Sequence, residues 1–124
     1  MLDNFEKCQF SAGQTIFSEG DDGVEMFIID SGRVRIWRGA AGKEHVLGYI
    51  EQGSIFGEMA LINNKPRIAS ATADSDVVCF VVSKQDFQER YQNVNSFVKT
   101  IVKILAINVN SLSDYIEENN ETNQ

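Results

Sequence analysis

Apolar runs of strand length recur between turn signals from Phe10 onward: QTIFS, then EGDDG, EMFIID, SG, RVRIWR, GAAGKE, HVLGYI and EQGS. β-branched and aromatic residues suit a pleated, half-buried surface, and the Gly, Asp and Ser clusters between them close turns, so the pattern predicts short strands joined tightly. In GRVRIWR, Val34 and Ile36 alternate with the polar Arg33, Arg35 and Arg38. That gives one face inward and one wet, as antiparallel sheets allow, with Val34 and Ile36 on the core side. IASATA and VVCFVV add two more strands. The expected fold is mainly β with C-terminal helices: a jelly roll or small barrel that manages its sheet edges by wrapping.

The period changes at Ser83. SKQDFQERYQ offers a Ser N-cap with Asp86 three residues on, and Phe87 and Tyr91 share one helical face. Val94, Val98, Val102, Leu105, Val109, Leu112 and Ile116 then recur at spacings of four and three, one stripe along a long helix. Phe97, Ile101, Ile104 and Ile107 widen that surface. A helix so broad has two partners to satisfy, its own barrel and the same helix of a second subunit, so a symmetric homodimer is expected. Residues 1–118 make one domain on this reading, with 119–124 a disordered polar tail.

Composition narrows the function. A net charge of −7 with no basic run argues against nucleic acid and against anionic membranes, which need clustered Lys and Arg. No apolar run approaches bilayer length, and an acid stands third where a signal peptide carries positive charge, so a cytosolic (cytoplasmic) domain is expected. Cys8 and Cys79 are far apart in sequence, and Cys79 lies inside DVVCFVVS. A small apolar residue in a buried strand outweighs a disulfide or metal role there. The single histidine, His45, reads as a solvated strand residue rather than a catalytic one. One histidine cannot build a cupin-type metal site, so no catalytic and no metal site is expected, and the protein reads as a binding module, not an enzyme.

The stretch FGEMALINNKPRIASATA, 56–73, carries the chemistry. Gly53 and Gly57 bring the chain out of a strand into a helical turn near Glu58, with Met59, Leu61 and Ile62 on an apolar side. A helix start exposes unpaired N–H groups that suit an anion, and Gly57 permits close approach to the backbone. NNKP turns the chain back and Arg67 follows, its planar fork of donors suited to two phosphate oxygens. Glu58 would repel such an anion unless the ligand also carries a hydroxyl for it to accept. A ribose 2′-hydroxyl beside a 3′,5′-cyclic phosphate has that arrangement.

That segment resembles the phosphate-binding cassette of the cyclic nucleotide-binding domain family, whose usual form is FGE, an apolar or small run, then PR followed by Ala, Ser or Thr. FSAGQTIFSEGDDGVEMFIIDSGRVRIW is similar to the family's first half, with Gly13, Gly20, Gly23 and Gly32 at its turn positions, and two closing helices fit Ser83 to Ile116. The resemblance implies that Glu58 binds the ribose 2′-hydroxyl, that Arg67 binds the cyclic phosphate, and that N–H groups at Met59, Ala60 and Ala69 complete the phosphate site. Ile68 stands where an alanine or a hydroxyl residue is usual; it offers no hydroxyl to a guanine amino group and leans toward cyclic AMP (cAMP), with cyclic GMP (cGMP) less favoured. The purine is expected on Ile36 and Leu47. Gap-free counting from the arginine puts Leu112 and Ser113 where the family's dimeric activators touch adenine, with Ser113 at its N6 edge. The implied function is a regulatory sensor whose C-terminal helices signal to a dimer partner or an effector protein. The alternative is a degenerate fold kept for dimerisation or protein contact without ligand.

Overall fold

The computed structural model describes residues 2, 4–40 and 42–105. The chain divides into two units, Met1–Phe87 and Gln88–Gln124.

The first unit holds eight strands: β1 (Glu6–Phe10), β2 (Thr15–Phe17), β3 (Glu25–Ser31), β4 (Val34–Ala40), β5 (Lys43–Ile50), β6 (Ile55–Phe56), β7 (Ser70–Ala73) and β8 (Val77–Ser83). A short helix α1 (Glu58–Asn63) lies between β6 and β7, and α2 (Lys84–Gln92) follows β8. The antiparallel pairs are nested: β4 with β5, β3 with β6, β2 with β7, β1 with β8. Two lateral pairings, β3 with β8 and β4 with β7, roll this long double ribbon into sheets of order β1-β8-β3-β6 and β2-β7-β4-β5. The result is the expected jelly roll. β1 and β6 go beyond the expected strands. EKCQF reads as polar and presents only Cys8 and Phe10 inward, as an edge strand can, and β6 spans just Ile55 and Phe56.

Facing strands bury Phe27, Ile29, Val34, Phe56, Ala71, Ala73, Val77 and Cys79 in one cluster, against which Ile36 packs half-buried. Val34 and Ile36 thus face inward as their alternation requires. Phe27 is the hub of an aromatic group, stacked on Phe56 at 5.0 Å and on Phe17 at 6.2 Å, with Phe10 edge-on at 6.1 Å. A smaller cluster of Met26, Ala60, Leu61 and Val82, with Phe5 and Phe87 against it, seats α1.

Ser83 caps α2 as its sequence suggests, its Oγ accepting from the Asp86 N–H at 3.1 Å. In the second unit the helical segment over 96–105 is a fresh start. Asn95 caps it, its Oδ1 accepting from the Val98 N–H at 2.9 Å, so Val94 falls in the turn before the helix and not on its stripe. Phe97, Val98, Ile101, Ile104 and Leu105 are exposed on this segment. Ile107, Val109, Leu112, Ser113, Ile116 and the 119–124 tail lie outside the described residues.

Gly32 turns the chain from one sheet to the other with φ 93°, and a Cβ there would stand 2.2 Å from the Asp76 carbonyl oxygen and 2.9 Å from Val77 Cα. Both neighbours are backbone and cannot swing away. Gly32→Ala is therefore expected to destabilise the protein by about 1–3 kcal/mol from the strained dihedral alone, with the clash added. A urea titration should show a lower midpoint at unchanged slope.

Candidate functional site

Between β6 and β7 the chain runs Gly57, α1, Asn64, Lys65, Pro66, Arg67. Gly57 is the N-cap of α1 at φ 80°, a left-handed conformation that glycine takes without strain. Having no side chain, it leaves the first turn of α1 without a side-chain cap. Asn64 ends the helix, also left-handed at φ 53°, as Asn tolerates. Two left-handed residues bracketing a six-residue helix fold the segment back on itself. Arg67 consequently returns to the residue where the helix began.

Arg67 is only 6% exposed. Its Nη1 donates to the Gly57 carbonyl oxygen at 2.6 Å and its Nη2 donates to the Glu25 carbonyl oxygen. The guanidinium lies 4.1 Å above the Phe17 ring, a cation–π contact of about 0.5–2 kcal/mol. A Cβ on Gly57 would sit 2.8 Å from Nη1 and 3.2 Å from the Phe17 ring, so the close approach that Gly57 permits here is by the arginine. The backbone of Arg67 is clasped too: its N–H donates to the Asp21 oxygen at 2.8 Å, and its oxygen accepts from the Gly20 N–H at 2.8 Å. Burial pulls the guanidinium's pKa down, and Glu25, then Asp21, then Glu58 push it back up. One of its nitrogens is left over. Arg67 Nε is buried without a hydrogen-bond partner, a cost that an acceptor brought by a ligand would remove.

Glu58, half-buried in the first turn of α1, has its carboxyl pushed above the ordinary carboxylate range by burial; a bond to its own N–H and the charge of Arg67 act the other way. Met59 is half-buried, and Ala60 and Ala69 are buried. A Cβ on Gly23 would lie 2.1 Å from that of Ala60, so the β2–β3 loop meets α1 only because residue 23 is glycine. Ile68 is 39% exposed. Ile36 faces the core on β4, and Leu47, 37% exposed, falls at the irregularity in β5 where pairing steps from Ile36–Gly48 to Trp37–Val46. The structure thus joins Gly57 and Arg67 directly, with Glu58 close enough to feel the arginine's charge, and sets Ile36 and Leu47 on the neighbouring strands β4 and β5. Ser113 is outside the described residues.

Several residues of this site carried no sequence signal. Phe17 reads as one more apolar strand position, yet it is the platform beneath the guanidinium. Asp21 and Glu25 act through main-chain oxygens, which side-chain identity does not encode. Ser70 is buried, its Oγ accepting from the Glu19 N–H at 2.9 Å, which ties the β2–β3 loop to β7. Among the described residues no group of three or more His, Cys, Asp or Glu could hold a metal, and no helix is long and apolar enough to cross a membrane.

The sequence pattern that defines the cyclic nucleotide-binding domain matches residues 7–94. The chain is 40% identical over 86 residues to a cAMP-dependent protein kinase regulatory subunit of Hypocrea atroviridis, covering 69% of this chain and 18% of that one. The fold is similar to the EAL enzyme Bd1971 in its cAMP-bound form, at a TM-score of 0.76 and 37% identity over 94% of this chain and 32% of that one. The cGMP-bound form of the same enzyme matches at a TM-score of 0.73 and 38% identity, over 84% and 28%. The catabolite activator protein of Thermus thermophilus matches at 0.75 and 26% identity, over 94% and 55%. The chain therefore spans between about a fifth and a half of the length of these relatives.

Because burial raises the Glu58 pKa, the protonated acid is the form the folded state favours: its contribution to stability is present below the unfolded pKa and is lost as pH rises through the folded value. Glu58→Gln is expected to raise the melting temperature at neutral pH and to change it little in acid. Thermal unfolding of both proteins across that range checks the sign.

Proposed function

Because the chain belongs to the cyclic nucleotide-binding domain family, we propose that it is a regulatory sensor that binds a cyclic nucleotide, cAMP before cGMP, at the cassette built on Glu58 and Arg67, and that it has no catalytic role of its own. The observation that carries this reading is the buried guanidinium of Arg67, held over Phe17 with an unpartnered Nε beside a carboxylate that burial disfavours as an anion. Both groups lack what a ribose cyclic phosphate brings: an anionic acceptor for the arginine and a hydroxyl donor for the glutamate. In this reading Arg67 holds the cyclic phosphate with N–H groups of Met59, Ala60 and Ala69, and Glu58 accepts the 2′-hydroxyl. Ile36 and Leu47 receive the purine, and Ser113 reaches its N6 edge. The preference for cAMP rests on Ile68, which has no hydroxyl for a guanine amino group.

A route to α2 is also proposed. The Val24 oxygen accepts from the Lys84 N–H at 2.7 Å, and Lys84 Nζ donates to Asn64 Oδ1 at 2.6 Å, so the start of α2 is bound to the loop beside Arg67 and to the end of α1. A ligand that draws Arg67 and α1 toward itself acts on contacts that α2 shares. The domain, 1–118 with its polar tail, works in the cytoplasm as a homodimer through its C-terminal helix or against an effector protein. The exposed apolar residues of the 96–105 segment support that part, Phe97 at 74% exposure foremost.

Calorimetric titration tests the ligand. Protein stripped of nucleotide should bind cAMP saturably and more tightly than cGMP, and Glu58→Gln should weaken cAMP by about 1.5–3 kcal/mol, roughly 10- to 150-fold. Absence of heat and of any thermal shift at millimolar nucleotide would mean a fold retained without its ligand. For the dimer, Ile101→Glu is expected to halve the mass in sedimentation equilibrium while leaving barrel unfolding unchanged; an unaltered mass would remove the 96–105 face from the interface.

A further inference from the structure

Cys8 on β1 and Cys79 on β8 are direct Cα partners in the antiparallel ladder, so both side chains leave the sheet on the same face. That face is the core side: Cys79 is fully buried in the main cluster and Cys8 packs half-buried against it. Both are free thiols. Opposed residues in such a ladder have Cα atoms about 4.5–5.5 Å apart, inside the roughly 4.4–6.8 Å that a disulfide spans, while their Cβ atoms, about 4.5–5.5 Å apart, stand at or past its usual limit of about 4.5 Å. On those general spacings a bond there is reachable but strained. Strain raises the reduction potential, which marks labile disulfides rather than structural ones.

We propose that Cys8 and Cys79 form an oxidation site that closes to an intramolecular cross-strand disulfide at the expense of a low-molecular-weight disulfide. The Cys8 thiolate attacks one sulfur of the small disulfide, forming a mixed disulfide and expelling one small thiolate. The Cys79 thiolate then attacks the Cys8 sulfur, forming the Cys8–Cys79 bond and expelling the second. The protein loses two electrons and two protons, and the small disulfide becomes two thiols. Cys8 goes first because it is the more accessible and lies on an edge strand, β1, although burial, then Glu25, pushes its thiol up as well. Burial, with a lesser push from Cys8, raises the Cys79 thiol to about 12, so the second displacement waits on local opening of that edge strand. β8 runs straight into α2, so the closed bond ties the edge of the barrel to the strand from which that helix departs.

The test is intact mass of the full chain after exposure to glutathione disulfide under native conditions, followed by alkylation in denaturant. The expected product carries no alkyl group, is two hydrogens lighter, yields one cross-linked peptide joining Cys8 to Cys79, and reverts with dithiothreitol. Cys8→Ser and Cys79→Ala should each abolish it, and Cys8→Ser, at a half-buried edge position, does so without touching the fully buried site. Wild-type protein that still takes two alkyl groups after saturating oxidant overturns the proposal. So does oxidation that stops at a glutathione adduct or gives only disulfide-linked dimers.

Discussion

The site depends on one buried cation standing on an aromatic floor. Arg67 gives up most of its hydration, and the structure offsets that loss with two main-chain oxygens, the face of Phe17 and the diffuse charge of Glu25, Asp21 and Glu58. Everything near it is shaped around the guanidinium: Gly57 and Gly23 are glycines because a Cβ would strike the arginine or the helix it serves. Phe17 belongs to the same ring cluster as Phe27 and Phe56, so the charged group rests directly on the hydrophobic core. A shift of the arginine is therefore felt by packed aromatic rings and not only by a surface loop.

Beside that cation sits a carboxyl group that burial disfavours as an anion. A protein under selection for stability alone would place an amide or an apolar residue there. On the proposed reading, Glu58 is the acceptor for a ligand hydroxyl and Arg67 Nε, unpartnered in the structure, a donor to its phosphate.

The barrel was legible because its strands alternate cleanly and its turns are marked by glycine and acid clusters; Val34 and Ile36 announce their facing by period alone. β1 was not, because EKCQF places a lysine, a glutamate and a glutamine on an edge strand that needs only Cys8 and Phe10 inward. The start of the second closing helix was misplaced as well. Val94 keeps the four-residue spacing, yet Asn95 caps a new helix after it, and a local side chain to backbone bond outweighs periodicity. The cassette was readable as a motif, but its partners were not. Gly20, Asp21 and Glu25 contribute main-chain atoms, and the pairing of Cys8 with Cys79 follows from a register that spans nearly the whole barrel.

That same nesting fixes how the domain can be joined to anything else. Since β1 pairs with β8, Glu6 lies opposite Val81, and the chain enters the barrel one strand-width from where it leaves, a gap of about 4.8 Å. Whatever precedes β1 and whatever follows β8 therefore start from neighbouring points in one sheet. That adjacency belongs to the topology itself, whatever the attached machinery does.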